Sequence, residues 1–269
     1  MDHGGTILIN SKHNPIGIFD SGMGGISVLA TLMKELPNET FIYFGDSINA
    51  PYGTKSVDEV RQLTIRACDF LVSQNVKAIV VACNTATSAA IKDLRARYTI
   101  PVVGMEPALK PAVELNNTGS IAVMATPMTL KESKFEKLMN RYMDAYEIVK
   151  VPCPELVQLV EDNHVNDPQI KSAIKKCFES VELRELDSIV LGCTHYVFLK
   201  RAMEQVVGSH VKLIDGNLGT ARQVLRLLKR LDLLREKAPT DRDRVIIVNS
   251  KSEALTTQSW ELLYYILEQ

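Results

Sequence analysis

Two of the five cysteines stand in matching settings. Ala78-Ile-Val-Val-Ala-Cys83-Asn-Thr and Ser188-Ile-Val-Leu-Gly-Cys193-Thr-His each carry an apolar run into a cysteine and then into small polar residues. A thiolate is favoured by N–H donors and by a helix N-terminus, which lower a free thiol pKa of about 8.5. Two such thiols facing one cleft have two uses. One is proton transfer at a stereocentre, with one residue removing a proton from one face and the other returning a proton to the opposite face. The other is redox chemistry, or a metal held by Cys83, Cys193 and His195. Asp20 and His195 fit proton management better than soft-metal binding. Cys68, Cys153 and Cys177 read as small hydrophobic fillers. No Cys-x-x-Cys pair occurs, so neither a disulfide framework nor a sequence-local zinc site is expected.

Asp20-Ser-Gly-Met-Gly-Gly25 follows one apolar run and precedes an amphipathic one. Glycines there let the backbone approach a ligand, and a helix N-terminus favours an anion. A dinucleotide fingerprint is not met: Ser27 occupies the third glycine position, and Asp20 would repel a pyrophosphate. No Gly-Lys-Ser/Thr follows, so it is not a P-loop. A carboxylate-type anion site is the expectation, with a plain capped turn as the bland alternative. Gly45-Asp-Ser-Ile-Asn-Ala-Pro-Tyr-Gly53 is a turn-rich loop of the kind that carries function. Glu106-Pro107 is similarly placed but carries less signal.

These residues need elements to position them. Nine apolar runs read as strands: Ile16–Asp20, Phe41–Asp46, Ala78–Cys83, Pro101–Met105, Ser120–Thr126, Glu147–Cys153, Ser188–Cys193, Val211–Asp215 and Val245–Asn249. Most are continuous rather than alternating, which suits parallel strands buried on both faces. Helical stretches lie between them: Gly25–Leu36, Val57–Ser73, Thr87–Tyr98, Leu130–Tyr142, Asp167–Ser180, Phe198–Val206 and Leu218–Leu233, the last with Val224, Leu228 and Leu231 on one face. Thr257–Leu267, which carries the only Trp, reads as a helix docked on the body. The alternation predicts an α/β fold, and ligands in such sheets bind outside the carboxyl ends of strands. Residues 1–14 read as a loose extension.

Apolar residues make up 46% and charged residues 23% of the 269. Both values are ordinary for a globular protein. Lys plus Arg (31) nearly balances Asp plus Glu (32), against a dedicated nucleic-acid or membrane-surface protein. No apolar run reaches the ~18–20 residues of a membrane span. The N-terminus lacks a secretory pattern, and a cytoplasmic location is expected.

Taken together, Asp20-Ser-Gly-x-Gly-Gly25, Pro51-Tyr-Gly53, Ala82-Cys-Asn-Thr-Ala86 and Gly192-Cys-Thr-His-Tyr196 resemble the glutamate racemases, cofactor-independent members of the aspartate/glutamate racemase family. The resemblance runs from about Ile16 to about Leu228. Cys153-Pro-Glu-Leu-Val-Gln-Leu-Val-Glu161 matches a family stretch that ends in a functional glutamate, which makes Glu161, not Glu155, the corresponding residue. The resemblance implies that Cys83 takes the proton from D-glutamate and Cys193 from L-glutamate. Asp20 would tune Cys83, and His195 with Glu161 would tune Cys193. Asp20, Ser21, Pro51, Tyr52, Gly53, Asn84, Thr85, Thr126, Thr129, Thr194 and His195 would bind the substrate. It further implies no metal and no cofactor, a homodimer, and D-glutamate delivered to peptidoglycan synthesis. The implied fold has two α/β domains around one cleft, residues 1–105 with 214–269 and residues 106–213. Val197 and Gly216-Asn217 depart from the family pattern at positions without a named role. The similar aspartate racemases carry glutamate after the second Cys-Thr, so His195 favours glutamate. A small-anion sensor with the same cleft, and a redox or metal protein, are the readings to be separated from a racemase.

Overall fold

A computed structural model describes residues 11–115, 119–162, 164–165, 167–240 and 244–268. All nine expected strands are present, several trimmed at their ends: β1 (Ile16–Asp20), β2 (Phe41–Gly45), β3 (Ala78–Val81), β4 (Val102–Gly104), β5 (Ser120–Ala125), β6 (Glu147–Pro152), β7 (Leu186–Leu191), β8 (Lys212–Asp215) and β9 (Val245–Asn249). They form two parallel sheets, β4-β3-β1-β2-β9 and β6-β5-β7-β8. The central strands β1, β3 and β5 are buried throughout, as their uninterrupted apolar sequences require. The edge strands β6 and β8 are largely accessible.

The helices are α1 (Ile26–Glu35), α2 (Val57–Ser73), α3 (Asn84–Arg97), α4 (Leu109–Leu115), α5 (Pro127–Leu130), α6 (Ser133–Asn140), α7 (Glu155–Glu161), α8 (Pro168–Cys177), α9 (Lys200–Val207), α10 (Asn217–Arg230) and α11 (Glu253–Leu267). On the first sheet, α2 packs beside α3 on one face, while α1 packs against α10 and α11 on the other. α11 docks through Ser259, Leu262 and Leu263. The product is an α/β molecule of two lobes, each a helix-covered parallel sheet. No helix among the described residues is long and apolar enough to cross a membrane.

Four expectations need correction. The buried face of α10 is Ala221, Val224 and Leu228; Leu231 caps the helix and is exposed. α3 begins at Asn84 rather than Thr87, because Cys83 Sγ itself caps it by accepting from Ala86 N. The stretch Leu130–Tyr142 is split between α5 and α6. The N-terminal extension lies outside the described residues up to position 10, but residues 11–14 are not loose. Lys12 pairs with Asp232 and Glu236, and its carbonyl accepts from the buried Lys77 Nζ at 2.8 Å. Lys77 also binds Glu39 at 2.5 Å and the Leu233 carbonyl at 2.8 Å, so every proton of this buried ammonium is satisfied.

Candidate active site

The carboxyl ends of the strands converge on one cleft between the lobes. β1 ends in Asp20, and Cys83 follows β3 from the first sheet; Thr126 follows β5 and Cys193 follows β7 from the second. The cleft is lined by Ser21, Pro51, Tyr52, Gly53, Cys83, Asn84, Thr85, Thr126, Cys193, Thr194 and His195. Thr54, Pro154 just before α7 and Val157 within it complete the wall. The cleft is narrow, with about 20 Å³ of free space, room for roughly one water. The lobes are therefore shut over the site.

Asp20, Glu161 and Thr129 stand behind this lining. Thr194 Oγ1 donates to Asp20 Oδ2 at 3.1 Å, while Asp20 Oδ1 has no partner although it is buried. Burial raises the Asp20 carboxyl to about 6, against the opposing pull of His195. Glu161 Oε1 lies 2.6 Å from His195 Nε2 and accepts from Met23 N–H, also at 2.6 Å. Ser47 Oγ donates to Glu161 Oε2 at 3.0 Å. Burial would raise the Glu161 carboxyl, but His195, the Met23 amide and the Ser47 hydroxyl outweigh it and hold the group below its ordinary value. His195 Nδ1 lies 3.7 Å from Cys193 Sγ. Burial opposes protonation of His195, but Cys193 and Glu161 on its two nitrogens hold it well above the ordinary imidazole value. Thr129 is fully buried and braces Thr126 at 3.1 Å, a step back from the cleft where substrate contact was expected.

Cys83 departs from expectation. Ser21 Oγ and Ala86 N–H each lie 3.4 Å from its Sγ, as the strand-to-helix pattern suggests. Yet burial, aided by the Asp20 charge, pushes the thiol up to about 12. Its two hydrogen-bond partners do not compensate, and at neutral pH Cys83 rests as a thiol. Both side-chain atoms of Asn84 are buried without a partner, in the first turn of α3. Thr85 Oγ1 meets Thr126 Oγ1 at 2.9 Å across the lobes.

The glycine loop after β1 does bind a carboxylate, but it is the chain's own. A Cβ on Gly22 would collide with the Glu161 carboxylate, and one on Gly24 with His195 and Thr194. These glycines let Glu161 and His195 approach, rather than cradling an outside anion. In the next loop Asp46 accepts from Tyr52 OH at 2.7 Å and from Ser250 Oγ at 3.0 Å, which fixes Tyr52 and Gly53 against the cleft. Glu106 is exposed and lines a separate surface groove. Among the described residues no three His, Cys, Asp or Glu side chains are grouped to hold a metal ion. All five cysteines are free. Sequence reasoning missed Met23, Ser47, Pro154 and Val157; only their place within the glycine loop, the loop 45–53 and the stretch 153–161 could have pointed to them.

Two buried thiols lie across one cleft, each with its own neighbours, and comparison with known proteins identifies the family. Residues 24–224 match the Asp/Glu/Hydantoin racemase family. The chain belongs to this family. Its members are racemases, hence isomerases. The chain is 57% identical over 215 residues to the glutamate racemase of Clostridium novyi (80% of this chain, 83% of the relative). It is 51% identical over 245 residues to that of Clostridium botulinum (91% and 94%). The fold is similar to glutamate racemase RacE1 of Bacillus anthracis, with a TM-score of 0.83 at 29% identity over 94% of this chain and 95% of that one. A glutamate racemase from Francisella tularensis, solved in complex with D-glutamate, has a TM-score of 0.79 at 29% identity over 96% and 95% of the two chains.

Proposed function

We propose that the protein interconverts L- and D-glutamate by two-base proton transfer between Cys83 and Cys193, with no cofactor. The observation that carries this reading is the pair of thiols at equivalent strand ends of two lobes, facing one cleft. Cys193, beside His195, takes the α-proton of L-glutamate, and the C–H electron pair passes into the substrate carboxylate. Cys83, a thiol at rest, delivers its proton to the opposite face, which leaves D-glutamate, a Cys193 thiol and a Cys83 thiolate. Once product has left, exchange with solvent removes the Cys193 proton and returns one to Cys83, which resets the site; D-glutamate runs the same steps backwards. His195, backed by Glu161, stabilises charge at Cys193; Asp20, with a free oxygen, handles charge near Cys83. The unpartnered amide of Asn84, the hydroxyls of Ser21, Thr85, Thr126 and Thr194, and the N-terminus of α3 receive the carboxylates and ammonium. Pro51, Tyr52 and Gly53 shape the wall.

The D-glutamate feeds peptidoglycan synthesis and the protein acts in the cytoplasm, a reading supported by the bacterial glutamate racemases it resembles. We further propose that the lobes are domains, residues 1–105 with the C-terminal segment, and residues from 106 onward through the second sheet. A boundary just after Asp215, two residues beyond the expected 213/214, suits this reading, and the pairing of β8 with β7 up to that residue supports it. The chain is proposed to work as a homodimer, which sedimentation will check.

The test uses Cys83→Ser and Cys193→Ser, after dialysis against chelator. Both variants should lose racemisation by at least ~10²-fold. A glutamate analogue with chloride on Cβ needs only one base: the α-proton leaves, its electrons form the Cα=Cβ bond, and chloride departs with its pair. Cys193→Ser should eliminate only from the D-configured analogue, and Cys83→Ser only from the L-configured one. If either variant eliminates equally from both, or racemises near normally, the two-base assignment is wrong. Loss of wild-type activity on dialysis, restored by a metal, would remove the cofactor claim.

A further inference from the structure

Glu161 belongs to the second lobe, but the groups that hold its carboxylate, apart from His195, belong to the first. Met23 N–H comes from the loop after β1 and Ser47 from the loop after β2. Ser47 is 5% exposed and is itself held: Asn249 Nδ2 donates to its Oγ at 2.9 Å. Asn249 closes β9, beside Gly45 of β2 in the sheet register. Its orientation is fixed from three sides. Its Oδ1 accepts from Lys251 N–H at 3.1 Å, its backbone N–H donates to Thr256 Oγ1 at 3.2 Å, and only its amino group is left to face Ser47. An amide nitrogen only donates. Ser47 must therefore accept from Asn249, and its single hydroxyl proton is committed to Glu161 Oε2. The result is a directed chain, Asn249 to Ser47 to Glu161 to His195 to Cys193, that crosses from one lobe to the other. Neither Ser47 nor Asn249 lines the cleft.

We propose that Ser47 and Asn249 are positioning residues for the Cys193 face, completing its Glu161–His195 pair only when the lobes are closed. This rests on the two-thiol reading above. Cys83 has a separate set of neighbours: Ser21, the Ala86 amide and the Asp20 charge. The other ionisable groups that bear on Glu161 are His195, Asp20 and Tyr43. Removing the Ser47 proton weakens the carboxylate that orients His195 and leaves the direct contacts of Cys83, Ser21 and the Ala86 amide, unchanged; Glu161 reaches Cys83 only indirectly, through the Asp20 charge. The consequence is directional: one half of the site depends on closure through this chain, the other does not.

Racemisation of glutamate itself cannot show the asymmetry, because the overall equilibrium constant ties the two directions together. The β-chloro analogue can, since each enantiomer engages one thiol and elimination is irreversible. Ser47→Ala should lower the ratio of L-side to D-side elimination roughly tenfold, the effect of losing one hydrogen bond to a charged group. Ser47→Thr should restore the ratio. Asn249→Asp, nearly isosteric, should behave as Ser47→Ala does, because a carboxylate at 249 takes the Ser47 proton for itself. A ratio unchanged in Ser47→Ala, or lowered equally by the Thr variant, overturns the proposal. Equal loss on both enantiomers marks a general structural role and overturns it as well. If wild-type protein acts on neither enantiomer and does not racemise glutamate, the two-thiol reading itself has failed, and that outcome is separate from an unchanged ratio in an active enzyme.

Discussion

Asp20 has no exposed surface, one oxygen bonded to Thr194 and the other left over. Its carboxyl titrates near 6 in the folded protein against an ordinary 3.8. The folded state therefore holds the proton more tightly than the unfolded chain does. Stability contributed by the protonated form is fully present below about pH 3.8 and is lost as pH rises to about 6. Above that the charged, buried carboxylate costs up to about 3 kcal/mol. Asp20→Asn removes the charge and keeps the shape. At pH 8 the variant should melt several degrees above wild type, with an advantage that shrinks toward pH 4; calorimetry at both values checks this. An advantage independent of pH would show that Asp20 is not held charged against burial. The expected pH-dependent advantage means that stability has been given up for function, as strained or charged active sites commonly require. That Cys83, Cys193 and their small polar neighbours stand at strand ends facing one cleft was legible in the sequence; Glu161 was reached only by resemblance, and Met23 and Ser47 were not reached. The protonation of the site residues was not legible. The neighbours that set it are distant in sequence, 174 positions from Asp20 to Thr194 and 138 from Met23 to Glu161. Cys83 illustrates the error: its local N–H donors were visible, and the burial that outweighs them was not.

Strands were the easiest elements to foresee, since parallel strands buried on both faces leave uninterrupted Val and Ile runs. Short helices were not. α4 and α7 have seven residues each, too few for a 3.6-residue period to stand out from a neighbouring strand. α7 carries Glu161, so its residue was reached by resemblance while its conformation was missed. The loop after β1 was recognised as a carboxylate binder, but the carboxylate turned out to arrive from α7. That gives the glycines a purpose that can be tested. Gly24 sits where a Cβ would overlap His195 Nδ1 and Thr194 Oγ1, the atoms that face Cys193 and Asp20. Gly24→Ala should displace both and lower kcat for glutamate by about 10²-fold, the loss typical when a general acid–base group is misplaced. A variant with near-normal kcat would mean that the loop yields without disturbing His195.

At the scale of the molecule, closure is the issue. Thr194 to Asp20, Glu161 to Met23 and Ser47, and Thr85 to Thr126 all join one lobe to the other. The cleft they close has about 20 Å³ inside, far less than an amino acid needs. Substrate entry and product release therefore require these contacts to part, and the cross-lobe bonds must be weak enough individually to reopen in each cycle. A covalent tie should stop the cycle without damaging either lobe. A Cβ on Gly53 would lie 3.0 Å from Thr126 Cβ, slightly inside the 3.5–4.5 Å that disulfides span, so a small shift accommodates the bond. The reduced Gly53→Cys, Thr126→Cys double variant should racemise glutamate at a lowered rate, because both positions line the cleft, and each form is compared with its own reduced state. The double variant should fall to background after mild oxidation and recover with dithiothreitol, while wild type and both single variants treated alike keep their activity. Glutamate added before oxidation should not protect turnover, because the lock acts on exchange rather than on the thiols that do the chemistry. Sustained turnover by the verified disulfide form would sink the idea, and entry would then have to occur through a path that leaves Gly53 and Thr126 in contact.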